Sequence, residues 1–262
     1  MPRALSGPAP TGSAPLPLLR LPALPADAPW RRHDLVWLRR DLPADAPGWH
    51  AAPADHALAA AWIDAGRPLV VSRQMPDADP AQGIAAGVTL PGIGPRRRVA
   101  LALLPTAVER RRGPLTLDEV LPAAPPAWQP ALARLAADAR RLGLSVGVYG
   151  SLVTQAVSGE RCLRPASDLD LIVDCADADE LRRALAWLAA ADAGMASPRL
   201  DGELRLGGWA VAWRELAALL AVAPATAARR CLAKSDHAVA LLALDDWLAC
   251  RGEAHDADRR AA

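Results

Sequence analysis

The chain has 262 residues, a formal net charge of +1 and 52% apolar residues, which allows one large domain or, better, two modest ones with real cores. Balanced charge with no concentrated basic block argues against an extended nucleic-acid footprint. No window approaches the uncharged apolar length that spans a bilayer, so neither nucleic acid nor a membrane is expected as a partner.

Residues 1–28 are rich in Pro and Ala and lack the compact apolar stretch of a signal peptide, so they read as a flexible arm. Arg32–Leu38 alternates weakly, as a strand or an entry segment. Ala57–Ala65 reads as a helix stopped by Gly66, and Pro68–Val71 as a short strand. A loop rich in Asp, Pro and Gly follows, with Gly87–Gly94 inside it. Arg96–Arg98 then leads into a strand over Val99–Leu104. Residues 29–112 thus form a small N-terminal α+β domain. Residues 113–130, with Leu117–Leu121 and Pro-rich Pro122–Pro130, read as a linker.

Ala131–Leu142 has apolar residues at helical spacing and opens a second domain, 131–253. There the order is strand 145–149, helix 151–157, strand 168–174, helix 177–192, strand 199–205 and strand 209–213. Helical text then covers Glu215–Leu220, Ala225–Cys231 and Ser235–Cys250, and residues 254–262 read as a flexible tail. This order predicts an α+β chain whose second domain is a mixed sheet flanked by helices.

Asp168 and Asp170 lie on the strand expected at 168–174. Residues two apart on a strand point to one side, roughly 6.6 Å apart, so two carboxylates aim at one place while Leu169 and Leu171 face the core. Hard oxygen ligands on a rigid strand suit Mg²⁺. Gly150 and Ser151, at the expected helix start, offer backbone N–H groups and a hydroxyl to a phosphate. Each motif alone has an ordinary reading, as turn chemistry before a strand or as a strand-to-helix corner with a serine cap. Together, in this order, they point to metal-dependent phosphoryl or nucleotidyl transfer. No Walker-type loop or G-x-G-x-x-G is present. Ser151 reads as a phosphate ligand, because no base of the triad kind adjoins it.

A two-metal site needs a third acid. Alternation over Arg199–Arg205 puts Asp201 and Glu203 on the face opposite Leu200 and Leu204; Asp201 is the expected third acid, with Glu203 in reserve. Lys234 is the only lysine among 30 Lys+Arg residues, which reads either as a position where a compact charge serves better than a guanidinium or as a chance survivor on a helix surface. With Arg96–Arg98, Arg161 and Arg164 it is a candidate phosphate contact, against the ordinary reading of a solvated surface charge. Cys162, Cys175, Cys231 and Cys250 show no C-x-x-C spacing and read as reduced structural thiols of a cytoplasmic protein. The five histidines lack metal-ligand spacing.

Gly150-Ser151, then Asp168-Leu169-Asp170, then Asp201 resemble the nucleotidyltransferase superfamily of DNA polymerase beta type, with a longer gap between Ser151 and Asp168. Arg32–Trp37, Gly66–Val71, Tyr149–Leu152, Pro165–Leu171, Leu200–Glu203 and Ala210–Glu215 resemble one branch, malonate decarboxylase holo-acyl-carrier-protein synthase. That family is also called phosphoribosyl-dephospho-CoA transferase, and the resemblance spans roughly residues 30–250. It implies a donor, triphosphoribosyl-dephospho-CoA, and transfer of phosphoribosyl-dephospho-CoA to a serine of the apo acyl-carrier subunit of malonate decarboxylase, with release of pyrophosphate. It places Mg²⁺ on Asp168 and Asp170 and the triphosphate on Gly150 and Ser151. Two other readings stand beside it: a nucleotidyltransferase using ATP on a protein or small molecule, and a non-catalytic regulatory module of the same fold.

Overall fold

The computed structural model describes residues 24, 28–43, 45–75, 83–92, 96–221 and 229–250; nearly all of the arm at 1–28 and the whole tail at 254–262 lie outside the described residues. The chain is α+β. Its first sheet comprises β1 (Leu35–Leu38), β2 (Trp49–Ala51), β3 (Leu69–Val71), β4 (Ile84–Thr89), β5 (Arg98–Leu103) and β6 (Val108–Arg112), in the order β2-β5-β4-β3-β1-β6. Every pairing in it is antiparallel. Helix α1 (His56–Asp64) buries Ala59, Trp62 and Ile63.

The loop expected around Gly87–Gly94 is in part a strand. Ile84, Ala86 and Val88 alternate into the core, so the period-two pattern governs despite loop-like small residues. Gly87 is there because the chains are close: a Cβ would stand 2.6 Å from the Val99 carbonyl oxygen. Strand β6, Val-Glu-Arg-Arg-Arg, has no apolar run to announce it; it is an edge strand held on β1.

The second sheet comprises β7 (Ser145–Tyr149), β8 (Leu169–Asp174), β9 (Leu200–Leu206), β10 (Trp209–Ala212), β11 (Arg230–Lys234) and β12 (Val239–Ala243), in the order β12-β11-β10-β9-β8-β7. Only β8 and β9 run parallel, joined by the crossover helix α5 (Ala178–Ala193) that a parallel pair requires. Gly207 and Gly208, at φ 57° and 78°, make the tight β9–β10 hairpin. Helices α2 (Leu117–Val120), α3 (Gln129–Leu142), α4 (Ser151–Ser158), α6 (Trp213–Ala221) and α7 (Leu244–Leu248) complete the unit.

The helical text expected over Ala225–Cys231 and Ser235–Cys250 is corrected. Arg230 and Cys231 begin β11, Val239–Ala243 is β12, and only Leu244–Leu248 is helical; residues 222–228 lie outside the described residues. Ala and Leu favour helices locally, but Cys231 and Ala233 alternate into the core and the hairpin pairs along five positions. Tertiary pairing overrides propensity.

The stretch 113–130 does more than connect. Thr116 and Glu119 form a capping box on α2, and Leu115, Leu117, Val120 and Trp128 enter the core of the second sheet. Strand β1 is buried at all four positions because it serves both cores. Leu35 and Trp37 pack into the second, Val36 and Leu38 into the first.

Candidate active site

Residues directly opposite one another in a sheet point to the same side, so register fixes what each face carries. Tyr149 pairs with Asp170, and Asp170 with Asp201; the next row is Gly147, Ile172 and Glu203, and the next Ser145, Asp174 and Arg205. The opposite face carries Val148, Leu171, Val146, Val173 and Leu204, four of them in the core. One face of β7-β8-β9 is thus apolar under the helices, and the other is a field of titratable groups.

Gly150 turns β7 into α4 at φ 75° and ψ −148°, a region that only glycine enters readily. The position is also crowded: a Cβ on Gly150 would lie 2.1 Å from Asp170 Oδ2. The glycine-serine bend therefore sits directly against the Asp170 carboxylate, with Ser151 buried at the start of the helix. Gly150→Ala is expected to cost about 1–3 kcal/mol of stability from backbone strain and, by displacing Asp170, to lower turnover at least tenfold. Urea unfolding and a transfer assay check both; a variant with normal turnover would overturn the assigned closeness.

Asp170 is half-buried, and its carboxyl is pushed up to about 6 by burial, then by the charges of Asp201 and Asp168, with Arg96 and Arg199 opposing. Asp201 accepts from the Gly202 N–H at 2.8 Å and has no ion-pair partner among the described residues. Asp168 lies one residue ahead of β8 and is held by Arg199, whose Nε and Nη2 donate to its two oxygens at 2.8 and 2.5 Å. Those bonds keep Asp168 well below the usual carboxylate range. Asp170 thus lies on the bend, with Asp201 beside it across the sheet and Asp168, one residue ahead of the strand, carrying an exposed guanidinium.

Among the described residues no group of three or more His, Cys, Asp or Glu side chains is gathered tightly enough to hold a metal ion. The donor chemistry of Asp168, Asp170 and Asp201 nevertheless fits a hard divalent cation. Burial first, and then the charges of Asp201 and Asp168, raise the Asp170 carboxyl, a setting in which a cation would be favoured; the Arg199 side chain on Asp168 is 63% exposed.

Glu203 has a different place. Arg32 Nη2 donates to one carboxylate oxygen at 2.7 Å and Lys234 Nζ to the other at 2.8 Å. Burial works to raise its pKa, but the Lys234 hydrogen bond and the Arg32 charge outweigh it, and the carboxyl stays low. Lys234 keeps two N–H donors beyond this bond. Of the arginines named from sequence, Arg97 is tied to Asp55 at 2.6 Å. Arg96 is exposed and acts electrostatically on both Asp168 and Asp170.

Sequence reasoning missed what the first sheet contributes. Arg32 is buried against Glu203, and its backbone N–H donates to Asp236 at 2.8 Å. His33, at φ 76°, is among the described residues the one non-glycine in the left-handed region. It stacks on Tyr149 with ring centroids 4.0 Å apart. Burial and then the Arg32 charge lower its pKa to about 3, so the imidazole is neutral. The available signal was the polar trio Arg32-His33-Asp34 directly ahead of an all-apolar strand.

Two family models match the chain: the phosphoribosyl-dephospho-CoA transferase MdcG N-terminal domain over residues 31–114 and the C-terminal domain over 116–245. A phosphoribosyl-dephospho-CoA transferase of Xanthomonas campestris pv. campestris (strain 8004) is 39% identical over 187 residues, covering 71% of this chain and 85% of the relative. The enzymes of the same name from Bradyrhizobium diazoefficiens and Pseudomonas putida (strain GB-1) are each 35% identical, over 74% and 84% of this chain and 85% and 96% of their own lengths. No solved structure matches the chain. Among the described residues no helix is long and apolar enough to cross a membrane. The chain belongs to the phosphoribosyl-dephospho-CoA transferase family, a family of enzymes.

Proposed function

We propose that this enzyme, acting in the cytoplasm, takes triphosphoribosyl-dephospho-CoA as donor and transfers phosphoribosyl-dephospho-CoA to a serine of the apo acyl-carrier subunit of malonate decarboxylase, releasing pyrophosphate. The carrying observation is the packing of the Gly150-Ser151 bend against Asp170 in a row with Asp201, in a chain of this family. In this reading the fold of the second unit is that of a nucleotidyltransferase, with the catalytic unit at 131–253 and the N-terminal unit at 29–112.

Asp168 and Asp170 would hold Mg²⁺, which when bound neutralises charge on the phosphate oxygens. The protein's own work is positioning and proton transfer. Gly150, Ser151 and the first N–H groups of α4 receive the triphosphate, with Lys234 and Arg96 as further candidate phosphate contacts. The carrier serine Oγ bonds to the phosphorus next to the ribose, the bond from that phosphorus to the pyrophosphate breaks, and the hydroxyl proton passes to a carboxylate. Asp201, with no cation on it, serves that role as general base. Incubating enzyme, Mg²⁺ and apo carrier with the CoA-derived donor or with ATP, then weighing the carrier, tests the proposal. A gain equal to phosphoribosyl-dephospho-CoA is expected. An adenylyl gain would move the reading to an ATP-using transferase, and no gain with either donor to a regulatory module.

A further inference from the structure

Away from the acid row, a cavity of about 290 Å³ opens in the first sheet, with Arg40, Arg67 and Arg110 around it and Trp37, Ile63 and Glu109 completing the wall. Its cations are unevenly neutralised. Arg67 pairs with Glu160 at 2.6 Å and lies over the Trp62 ring. Arg110, opposite Trp37 in the β1–β6 register, stacks on that ring with its guanidinium carbon 3.9 Å from the centroid. Neither Arg40 nor Arg110 has a hydrogen-bond or ion-pair partner among the described residues. Burial and the neighbouring Arg112 work against the Arg110 charge, with only exposed Glu109 in its favour. A partly desolvated guanidinium on an aromatic wall, Arg110, with the exposed Arg40 on the same cavity, calls for a planar or phosphate anion, which Arg grips with two donors at once.

Size narrows the ligand. At about 290 Å³ the cavity is at the small end of ligand pockets, which suits a compact group: a diphosphate with its adjoining carbon atoms on Trp37 and Ile63. Its place narrows it further. Glu160, the partner of Arg67, and Asp168 lie on one connection, whose length holds them within about 28 Å of each other. We propose that this cavity is a second anion site that holds the diphosphate linking adenosine to pantetheine in a dephospho-CoA-type ligand, while the acid row takes the triphosphate. The inference rests on the donor assigned above.

The test is calorimetric titration of the intact protein with dephospho-CoA, which lacks the triphosphate, in the presence of EDTA. Arg40→Glu/Arg110→Gln is expected to weaken binding at least tenfold, Asp170→Asn to leave it unchanged, and inorganic pyrophosphate to compete. If the double variant does not fold, Arg40→Glu alone, at an exposed position, should still weaken binding at least threefold. No binding to wild type, equal binding by the arginine variants, or loss in Asp170→Asn would each overturn the site. Arginine-dependent binding with no carrier modification by any donor leaves the cavity standing and the transfer reading lost. Carrier modification with an unchanged donor KM in the double variant does the reverse.

Discussion

Asp170→Asn is expected to abolish carrier modification and, at pH 8, to leave a more stable protein. The cause of both is the Asp170 carboxyl, half-buried beside Asp201 and Asp168 and pushed up to about 6. A carboxyl whose pKa is higher folded than unfolded binds its proton more tightly in the fold. Its contribution is therefore most favourable below about pH 4, declines as pH rises toward 6, and stays at its lowest above that. Two pKa units correspond to about 3 kcal/mol; solvent screening of a half-exposed group reduces this to about 1–2 kcal/mol. Asparagine keeps the shape and removes the charge, so Tm should rise by about 2–8 °C at pH 8 and by nothing at pH 4. Mg²⁺ should raise the wild-type Tm and not that of the variant, and wild-type turnover should climb with pH through about 6. A variant no more stable than wild type at pH 8 would remove the account of a carboxyl raised by burial and like charge, and one with normal turnover would remove Asp170 from the site. Stability surrendered at a functional residue is the expected trade.

The acid row was legible in the sequence because it follows from local rules. Asp168 and Asp170 alternate with apolar residues that had to be buried, and Gly150-Ser151 stands where a strand must turn into a helix. Asp201 could be preferred to Glu203 but not separated from it, since both lie on the same face of β9. What separates them comes from residues distant in the chain: Arg32, 171 positions away, and Lys234 on β11 occupy Glu203 and leave Asp201 open. The same limit explains the misread C-terminal text. The alternation of Cys231 and Ala233 is too short and too Ala-rich to outweigh helix propensity until β10 is there to pair with it. His33 could not be read either, because its left-handed backbone and its stack on Tyr149 exist only once the two sheets meet.

Arg32→Ala is expected to cost about 3 kcal/mol, the low end for breaking a buried ion pair, because Lys234 remains on Glu203. The effect on chemistry should exceed that on stability. Glu203 lies two positions from Asp201 on the same face, so its charge, once only partly neutralised, adds to the repulsion that already raises Asp170. The acid limb of the pH–rate profile should therefore move upward from about pH 6, and Mg²⁺ should be needed at a higher concentration at neutral pH. Glu203→Gln in the same chain removes the stranded charge. The double variant should recover at least 1 kcal/mol over the sum of the single losses, as groups in one network do not add, and its acid limb should return toward wild type. Urea unfolding of the four proteins and their pH–rate profiles decide the matter. Additive losses with an unmoved profile would reduce Arg32 to packing. Coupled losses with a profile that moves and returns would make Arg32, at the entry to the first sheet, the source of the cation that keeps the acid row ionisable.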